Sequence, residues 1–487
     1  MNRSLAPGTD RASGAAGLDA IQVSGLTADS RAVQPGFLFA ALPGVTVNGV
    51  DFIPDAVRRG AAAVLAPRGT AQTLGALSLP VIEDAQPRQR FARMAAAFYG
   101  AQPEIVVAVT GTSGKSSTVT FARQIWHTLG LKAASLGTLG IESDAVTRYS
   151  GLTTADPVAL HADLAELAKA GVTHAAMEAS SHGLDQYRLD GVRIAVAGFT
   201  SFGRDHLDYH ESPEAYFAAK TRLFTEVLQP DGTAVLNADI PEFARLDALT
   251  RDAGRKAISY GRQGADIKIA KQRATMAGQS ATLEVFGASY DIALPLAGGF
   301  QLSNALCALG MVLAAGAETA PAVAALDRLQ GVRGRLERVG RLANGAAIYV
   351  DYAHKPDALE TVLIALRAHT PGKLAEVFGC GGNRDRGKRP VMGEIATRLA
   401  DRVIVTDDNP RREDPATIRA EIMAGARGAI EIADRAEAIA AGIAGLGSGD
   451  VLIIAGKGHE QGQIVGDTVR PFDDAAVARE IMAGGRR

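Results

Sequence analysis

The sequence predicts an α/β protein of three domains, and three observations carry that prediction. At 487 residues the chain exceeds what a single hydrophobic core organises. Apolar runs of strand length alternate with amphipathic helical stretches, the pattern of parallel sheets covered by helices. That alternation breaks near residue 266 and restarts near residue 347.

Residues 1–20 hold Arg3, Asp10 and Arg11 among Gly, Ala and Ser without an apolar stretch, and read as a loose tail rather than a signal peptide. A small α/β domain follows over 21–101, with strands expected at 37–42 and 61–66. Its helices are expected at 53–59 and 91–99, the second ended by Gly100 and Pro103. The central domain, 102–333, opens on Ile105-Val-Val-Ala-Val109, a β-branched run suited to a fully buried strand. A Gly-rich turn leads into a helix whose apolar face is Val119, Ala122, Ile125, Trp126 and Leu129. Further strands are expected at 175–178 and 192–200. Over 266–296 the pairs Ile267/Ile269, Leu283/Val285 and Ile292/Leu294 alternate with polar residues, as half-buried antiparallel strands do. Residues 331–334 read as a linker to a C-terminal domain, 334–487, with strands at 347–351, 374–379, 402–406 and 451–455.

Composition narrows the class. The chain is 47% hydrophobic and 21% charged with a net charge of -2, and has no clustered basic excess of the kind nucleic-acid binders carry. Its two cysteines, Cys307 and Cys380, lie outside any metal-ligand spacing and fit a reducing compartment. No apolar run reaches membrane-spanning length, so a cytoplasmic protein without membrane insertion is expected.

The chemistry begins at Thr110-Gly-Thr-Ser-Gly-Lys-Ser-Ser117, between the buried strand and its helix. Gly111 and Gly114 let the backbone of Gly111, Thr112, Ser113 and Gly114 turn tightly and aim N–H groups at phosphate oxygens. The helix start, with Ser117, adds its positive dipole end. Lys115 suits the β and γ phosphates of ATP, and the Ser116 hydroxyl suits Mg²⁺. Val109 stands where the common spacing has its first glycine.

Glu178 closes an expected strand of the same sheet, where a second Mg²⁺ ligand belongs, although alone such a Glu is usually a solvated loop residue. Residues 201–210 crowd Arg204, Asp205, His206, Asp208 and His210 at the same edge. Ser212-Pro213-Glu214 is a strong helix start. Counting on, Tyr216, Lys220, Leu223, Phe224 and Val227 share one face, which places a lysine on the apolar stripe. Such a lysine either snorkels to the rim or stays buried near the phosphates. Buried, its pKa falls, and a neutral amine can capture CO₂ as a Mg²⁺-binding carbamate.

The set Gly111-Thr-x-Gly-Lys-Ser116, Glu178-Ala-Ser-Ser-His182, Tyr216-x-x-Ala-Lys220 and Asp351-Tyr-Ala-His354 resembles the Mur ligases of peptidoglycan synthesis, from about residue 24 to 480. The resemblance implies a UDP-binding domain, a central P-loop ATPase domain and a Rossmann-like C-terminal domain. It implies ATP-dependent amide formation through an acyl phosphate, with Lys115, Glu178, His206 and Lys220 catalytic. Ser116, Glu178, His206 and carbamylated Lys220 would be the metal ligands. Asn304, Arg335 and Asp351 match ATP contacts. Among the family's branches, the sequence resembles those adding meso-diaminopimelate to UDP-N-acetylmuramoyl-L-alanyl-D-glutamate (UDP-MurNAc-L-Ala-D-Glu). Ser30, Thr153, Thr154, Ser180, Gln186 and Arg188 match contacts to that nucleotide peptide. Arg384, Asp408, Asn409, Pro410, Arg411, Gly456 and Glu460 match the amino-acid pocket.

The pocket also has a physical reading. Meso-diaminopimelate carries an extra ammonium and carboxylate beyond those of a simple amino acid. Arg411 and Arg384 suit the carboxylate through paired hydrogen bonds, and Asp408 and Glu460 suit the ammonium. A lysine-adding relative is the alternative, and in those relatives the Asn-Pro-Arg cation is typically missing. Asn383 departs from the family pattern by standing where Asp is common, losing a charge near this pocket. A monomer is the default.

Overall fold

The structure, a computed structural model, describes residues 3–4, 22–44, 47–74, 78–149, 151–206, 208–275 and 277–484. They divide into two compact units, residues 1–265 with 307–318, and residues 266–306 with 319–487. The tail expected at 1–20 lies outside the described residues except for Arg3–Ser4, which pair antiparallel with Gln22–Val23.

The first unit opens with a four-stranded parallel sheet in the order Gly25–Thr27, Phe37–Ala40, Ala63–Pro67, Val81–Asp84. Successive residues of its strands bury to opposite faces. Leu38, Ala40 and Leu65 pack with Phe91, whereas Phe39, Val64 and Ala66 pack with Ile53. Helix Pro87–Tyr99 starts four residues earlier than expected, because Pro87 at its first turn gives up only an N–H that has no intrahelical partner there.

The larger sheet of this unit runs Thr147–Arg148, Gly140–Glu142, Ala133–Gly137, His174–Glu178, Ile105–Thr110, Ile194–Phe199, Leu228–Asn237, Lys256–Gly261. From Ala133–Gly137 onward every neighbour is parallel. Ile105–Thr110 lies between His174–Glu178 and Ile194–Phe199, so its C-terminal end faces the crevice where open α/β sheets bind ligands. Val106, Ala108, Met177 and Phe199 pack one face against Leu160, Leu164, Phe217 and Phe224. Helix Pro213–Arg222 passes into a π-helical turn, Leu223–Val227, which the helical count did not foresee.

The second unit begins with the antiparallel meander Ile267–Thr275, Gly278–Val285, Ala288–Leu294, with Ile267, Leu283, Val285 and Leu294 buried. Its main sheet runs Glu337–Arg341, Ala347–Asp351, Val451–Ala455, Leu374–Phe378, Arg402–Val405, Ile430–Glu431, parallel except at the first strand. Helices cover both faces, which is why four of these strands are mostly apolar, Glu376 in Leu374–Phe378 being a buried exception. Among the described residues no helix is long and apolar enough to cross a membrane.

Candidate active site

The turn at residues 111–114 follows strand Ile105–Thr110 and leads straight into helix Lys115–Thr128. Gly111 has φ +146°, and a Cβ there would lie 2.0 Å from Thr200 Oγ1, so no other residue fits. The end of the neighbouring strand pins the turn. Thr112 N–H donates to Ser201 O at 2.8 Å, Ser113 N–H to Ser201 Oγ at 3.0 Å, and Thr200 Oγ1 to Ser113 O at 2.6 Å. Lys115 Nζ donates to the carbonyls of Gly111 and Thr112 at 2.9 and 3.0 Å. The loop thus presents a cation and a helix N-terminus at one point, the requirement for cradling a polyphosphate.

Glu178 is buried beside it, with Gly137 leaving the space its carboxylate fills. Its Oε1 accepts from Ser116 Oγ at 2.9 Å and from Thr138 N–H at 2.8 Å. A hydroxyl and a carboxylate meeting beside a phosphate loop fit Mg²⁺, which takes oxygen ligands and is commonly completed by substrate phosphates. Among the described residues no three His, Cys, Asp or Glu side chains come together as a metal centre.

Lys220 does not snorkel. It is 1% exposed, and its Nζ donates to Gly111 O at 2.8 Å and lies 4.4 Å from the Tyr216 ring centroid. Burial, reinforced by the Lys115 charge and opposed by Asp205, pulls its pKa well below the ordinary lysine range. Tyr216, whose hydroxyl is 3.2 Å from Thr112 Oγ1, is itself pushed up to about 12 by burial. His206 has φ +52° and packs edge-on against His182 with ring centroids 4.8 Å apart. The structure therefore joins Ser116 to Glu178 and Lys220 to the phosphate loop, and places His206 in a neighbouring cluster of His182, Tyr209, His210 and Tyr216.

The residues expected to hold the nucleotide peptide form a chain of contacts at the same edge. Thr153 and Thr138 share a hydroxyl contact of 3.0 Å, and Thr154 Oγ1 donates to Glu178 O at 2.9 Å. Ser180 caps the short helix Ser181–Asp185, accepting from Gly183 N–H at 3.0 Å. Arg188 donates to Thr154 O at 2.7 Å and to Gln186 Oε1 at 2.8 Å, and Gln186 continues to Tyr209 OH at 3.1 Å. Ser30 is buried at the start of a 3₁₀ turn capped by Asp29. Thr138 and Tyr209 were not foreseen.

In the second unit, the expected ATP contacts converge. Asn304 Nδ2 donates to Gln301 Oε1 at 3.1 Å, and Gln301 Nε2 to Arg335 O at 3.1 Å. The Asp351 carboxylate accepts from Leu336 N–H at 2.6 Å and Ala353 N–H at 2.7 Å. Burial raises its pKa, partly offset by Arg335.

The expected amino-acid pocket lies at the C-terminal ends of strands Leu374–Phe378, Arg402–Val405 and Val451–Ala455. Asn409 Nδ2 donates to Glu460 Oε2 at 2.8 Å. Lys457, fully buried and missed in the sequence, donates to Asn409 Oδ1 and Glu460 Oε2, both at 3.1 Å. Gly456 has φ +110° and a Cβ there would meet Asp408 Oδ2 at 2.7 Å. The hairpin Gly462–Val465/Thr468–Pro471 clamps the Asp408-Asn-Pro-Arg411 run. Arg411 N–H donates to Ile464 O at 2.9 Å and Gly466 N–H to Arg411 O at 2.7 Å. That holds Arg411 at φ +53° and its Nη1 3.0 Å from Gly382 O. Pro410 is buried, and Arg384 is exposed at the rim.

A parallel α/β sheet with this loop, backed by a strand-end carboxylate and a buried lysine, defines a P-loop enzyme that uses a nucleoside triphosphate. The chain belongs to the Mur ligase family, ATP-dependent ligases that form amide bonds. Family models match residues 22–99 (Mur ligase family, catalytic domain), 109–312 (Mur ligase middle domain) and 334–458 (Mur ligase, glutamate ligase domain). The UDP-N-acetylmuramoyl-L-alanyl-D-glutamate–2,6-diaminopimelate ligase of Rhizobium meliloti is 54% identical over 95% of both chains. That of Caulobacter vibrioides is 52% identical over 95% of this chain and 96% of its own. A solved structure of a ligase of the same name matches with TM-score 0.74 and 33% identity over 99% of both chains. MurF ligase from Thermotoga maritima in complex with ADP, 21% identical, shares the fold at TM-score 0.61 over 94% of this chain and 97% of its own.

Proposed function

We propose that this chain joins an amine of meso-diaminopimelate to the D-glutamyl γ-carboxylate of UDP-MurNAc-L-Ala-D-Glu, with ATP converted to ADP and phosphate. The relatives named for 2,6-diaminopimelate support this reading along nearly the whole chain. The observation that carries it is that the strand ends bearing Arg411 and Asp408 are tied to the one bearing Glu460, Arg411 Nη1 being held by Gly382 O and Glu460 by Asn409, which supplies a cation for the extra carboxylate and acids for the extra ammonium. The lysine-adding alternative leaves that guanidinium without a substrate carboxylate to bind.

A carboxylate does not react with an amine at neutral pH until it carries a leaving group. Transfer of the γ-phosphoryl group to the carboxylate makes an acyl phosphate, the amine attacks its carbonyl, and phosphate departs. Residues 111–117 bind and orient the triphosphate, with Lys115 as counter-charge. Ser116 and Glu178 would hold Mg²⁺, which when bound neutralises anions that otherwise repel. Lys220, held neutral by burial, attacks CO₂ through nitrogen and releases a proton, becoming a carbamate anion; with His206 it would complete the set of residues that hold the metal. Thr153, Thr154, Ser180, Gln186 and Arg188 orient the peptide, with Ser30 at the UDP end. Asn304, Arg335 and Asp351 contact ATP. Residues 21–101, 102–333 and 334–487 would then be the UDP-binding, ATPase and amino-acid domains of a cytoplasmic enzyme.

Phosphate release tests the reading. With UDP-MurNAc-L-Ala-D-Glu and ATP, meso-diaminopimelate should stimulate release far more than L-lysine. Equal stimulation by both, or tripeptide formation without ATP, would overturn it.

A further inference from the structure

The fully buried guanidinium of Arg389 bonds groups on both loops of the amino-acid pocket. Its Nη1 donates to Glu413 Oε1 at 2.7 Å and Glu421 Oε2 at 2.6 Å. Its Nη2 donates to Glu413 Oε2 at 2.8 Å and to Gly381 O at 3.3 Å. Glu413 returns the contact to the first loop, accepting from Asn383 N–H at 2.9 Å. Arg389 draws the Glu413 carboxyl down to about 2, so the pair stays charged throughout the working pH range.

The loops are stitched above this pair. Gly382 N–H donates to Asn409 O at 2.9 Å, and Arg412 N–H donates to Asn383 Oδ1 at 3.1 Å. A Cβ on Gly382 would lie 2.0 Å from Pro410 O, so the two backbones touch. Asn383 and Arg411, one on each loop, both have positive φ, at +52° and +53°. Such conformations cost free energy in a residue with a side chain and persist where surrounding contacts over-determine them. Asn383 tolerates its conformation through the hydrogen bond its amide oxygen accepts, so this departure from the family pattern is a backbone role and more than a lost charge.

We infer that Arg389 and Glu413 are positioning residues for selection of the incoming amino acid, setting the separation of Arg384 and Arg411 so that both guanidiniums meet the distal carboxylate. A bidentate guanidinium–carboxylate contact depends on distance and plane, so a small shift of one loop removes one of its hydrogen bonds. The inference rests on the reading of Arg384 and Arg411 as carboxylate ligands.

The test uses the full chain with Arg389→Lys, which keeps the charge and loses the fork, and Glu413→Gln, which keeps the shape and loses the charge. KM for meso-diaminopimelate should rise roughly tenfold or more in each, with kcat and the KM values for ATP and the UDP-dipeptide unchanged. Selectivity over L-lysine should fall by a similar factor. A folded variant with unchanged KM for meso-diaminopimelate, or with all three KM values rising together, overturns the positioning role. If Arg389→Lys fails to fold, Glu413→Gln decides alone. A wild type that ignores meso-diaminopimelate overturns the proposed function itself, a distinct result.

Discussion

Ser116 and Glu178 stand 62 positions apart, yet the serine hydroxyl donates to the glutamate Oε1 at 2.9 Å. The contact forms because adjacent parallel strands deliver the phosphate loop and the carboxylate to one edge. Glu178→Gln keeps an acceptor for Ser116 and Thr138 but removes the charge. Turnover should fall on the order of a hundredfold or more, with a higher Mg²⁺ requirement and little change in melting temperature. Steady-state phosphate release across a Mg²⁺ titration reads both effects.

Lys220→Ala should abolish turnover while leaving ATP binding in place, and a short carboxylic acid should restore part of the activity by supplying the missing anion. Labelled bicarbonate should give the wild type a carbamate carbon signal absent from the variant. Undiminished activity in Lys220→Ala, or no rescue and no signal, would remove the carbamate.

Glu376 sits in the interior strand Leu374–Phe378 of the C-terminal sheet, fully buried, and neither carboxyl oxygen has a hydrogen-bond partner among the described residues. Burial pushes it from 4.5 up to about 8. Its folded pKa exceeds the unfolded one, so its contribution to stability is complete below about 4.5 and is lost as pH rises through about 8. Glu376→Gln removes the titration. The variant's unfolding free energy relative to wild type, read from urea denaturation, should rise steadily between pH 5 and 8, by a difference on the order of a few kcal/mol. A constant offset across that range would contradict the assignment.

Arg435 and Asp474 form a fully buried pair with two contacts of 2.7 Å, and Arg435 also donates to Ala455 O at 2.9 Å. The pair ties helix Asp474–Met482 to helix Arg435–Ala444. Asp474→Asn leaves a buried cation uncompensated and should cost about 3–5 kcal/mol. Urea denaturation checks this, and Arg435→Met combined with Asp474→Leu should recover much of the loss.

The elements legible in the sequence were those whose signal is local. Residues 110–117 announce themselves because turn, cation and helix start are contiguous, and Lys220 stands out because a helical count places it among Tyr216, Leu223 and Phe224. Strand Ala133–Gly137 escaped notice because Ala, Ser and Gly carry no β-branched signal, so its burial is decided by neighbouring strands. Thr138 was lost with it. Lys457 was passed over because its partner Asn409 lies 48 residues away, and no short-range pattern encodes that distance. Asn383 looked like a missing charge because backbone sign is invisible in composition.

The hairpin 462–471 grips Arg411 through peptide groups, while the side chains of Thr468–Pro471 face solvent. Natural variation can therefore rewrite those outward letters freely, yet one inserted or deleted residue would shift the ladder and redirect the guanidinium. On the proposed reading of Arg411, substrate choice is accordingly more vulnerable to changes in hairpin length than to changes in hairpin composition.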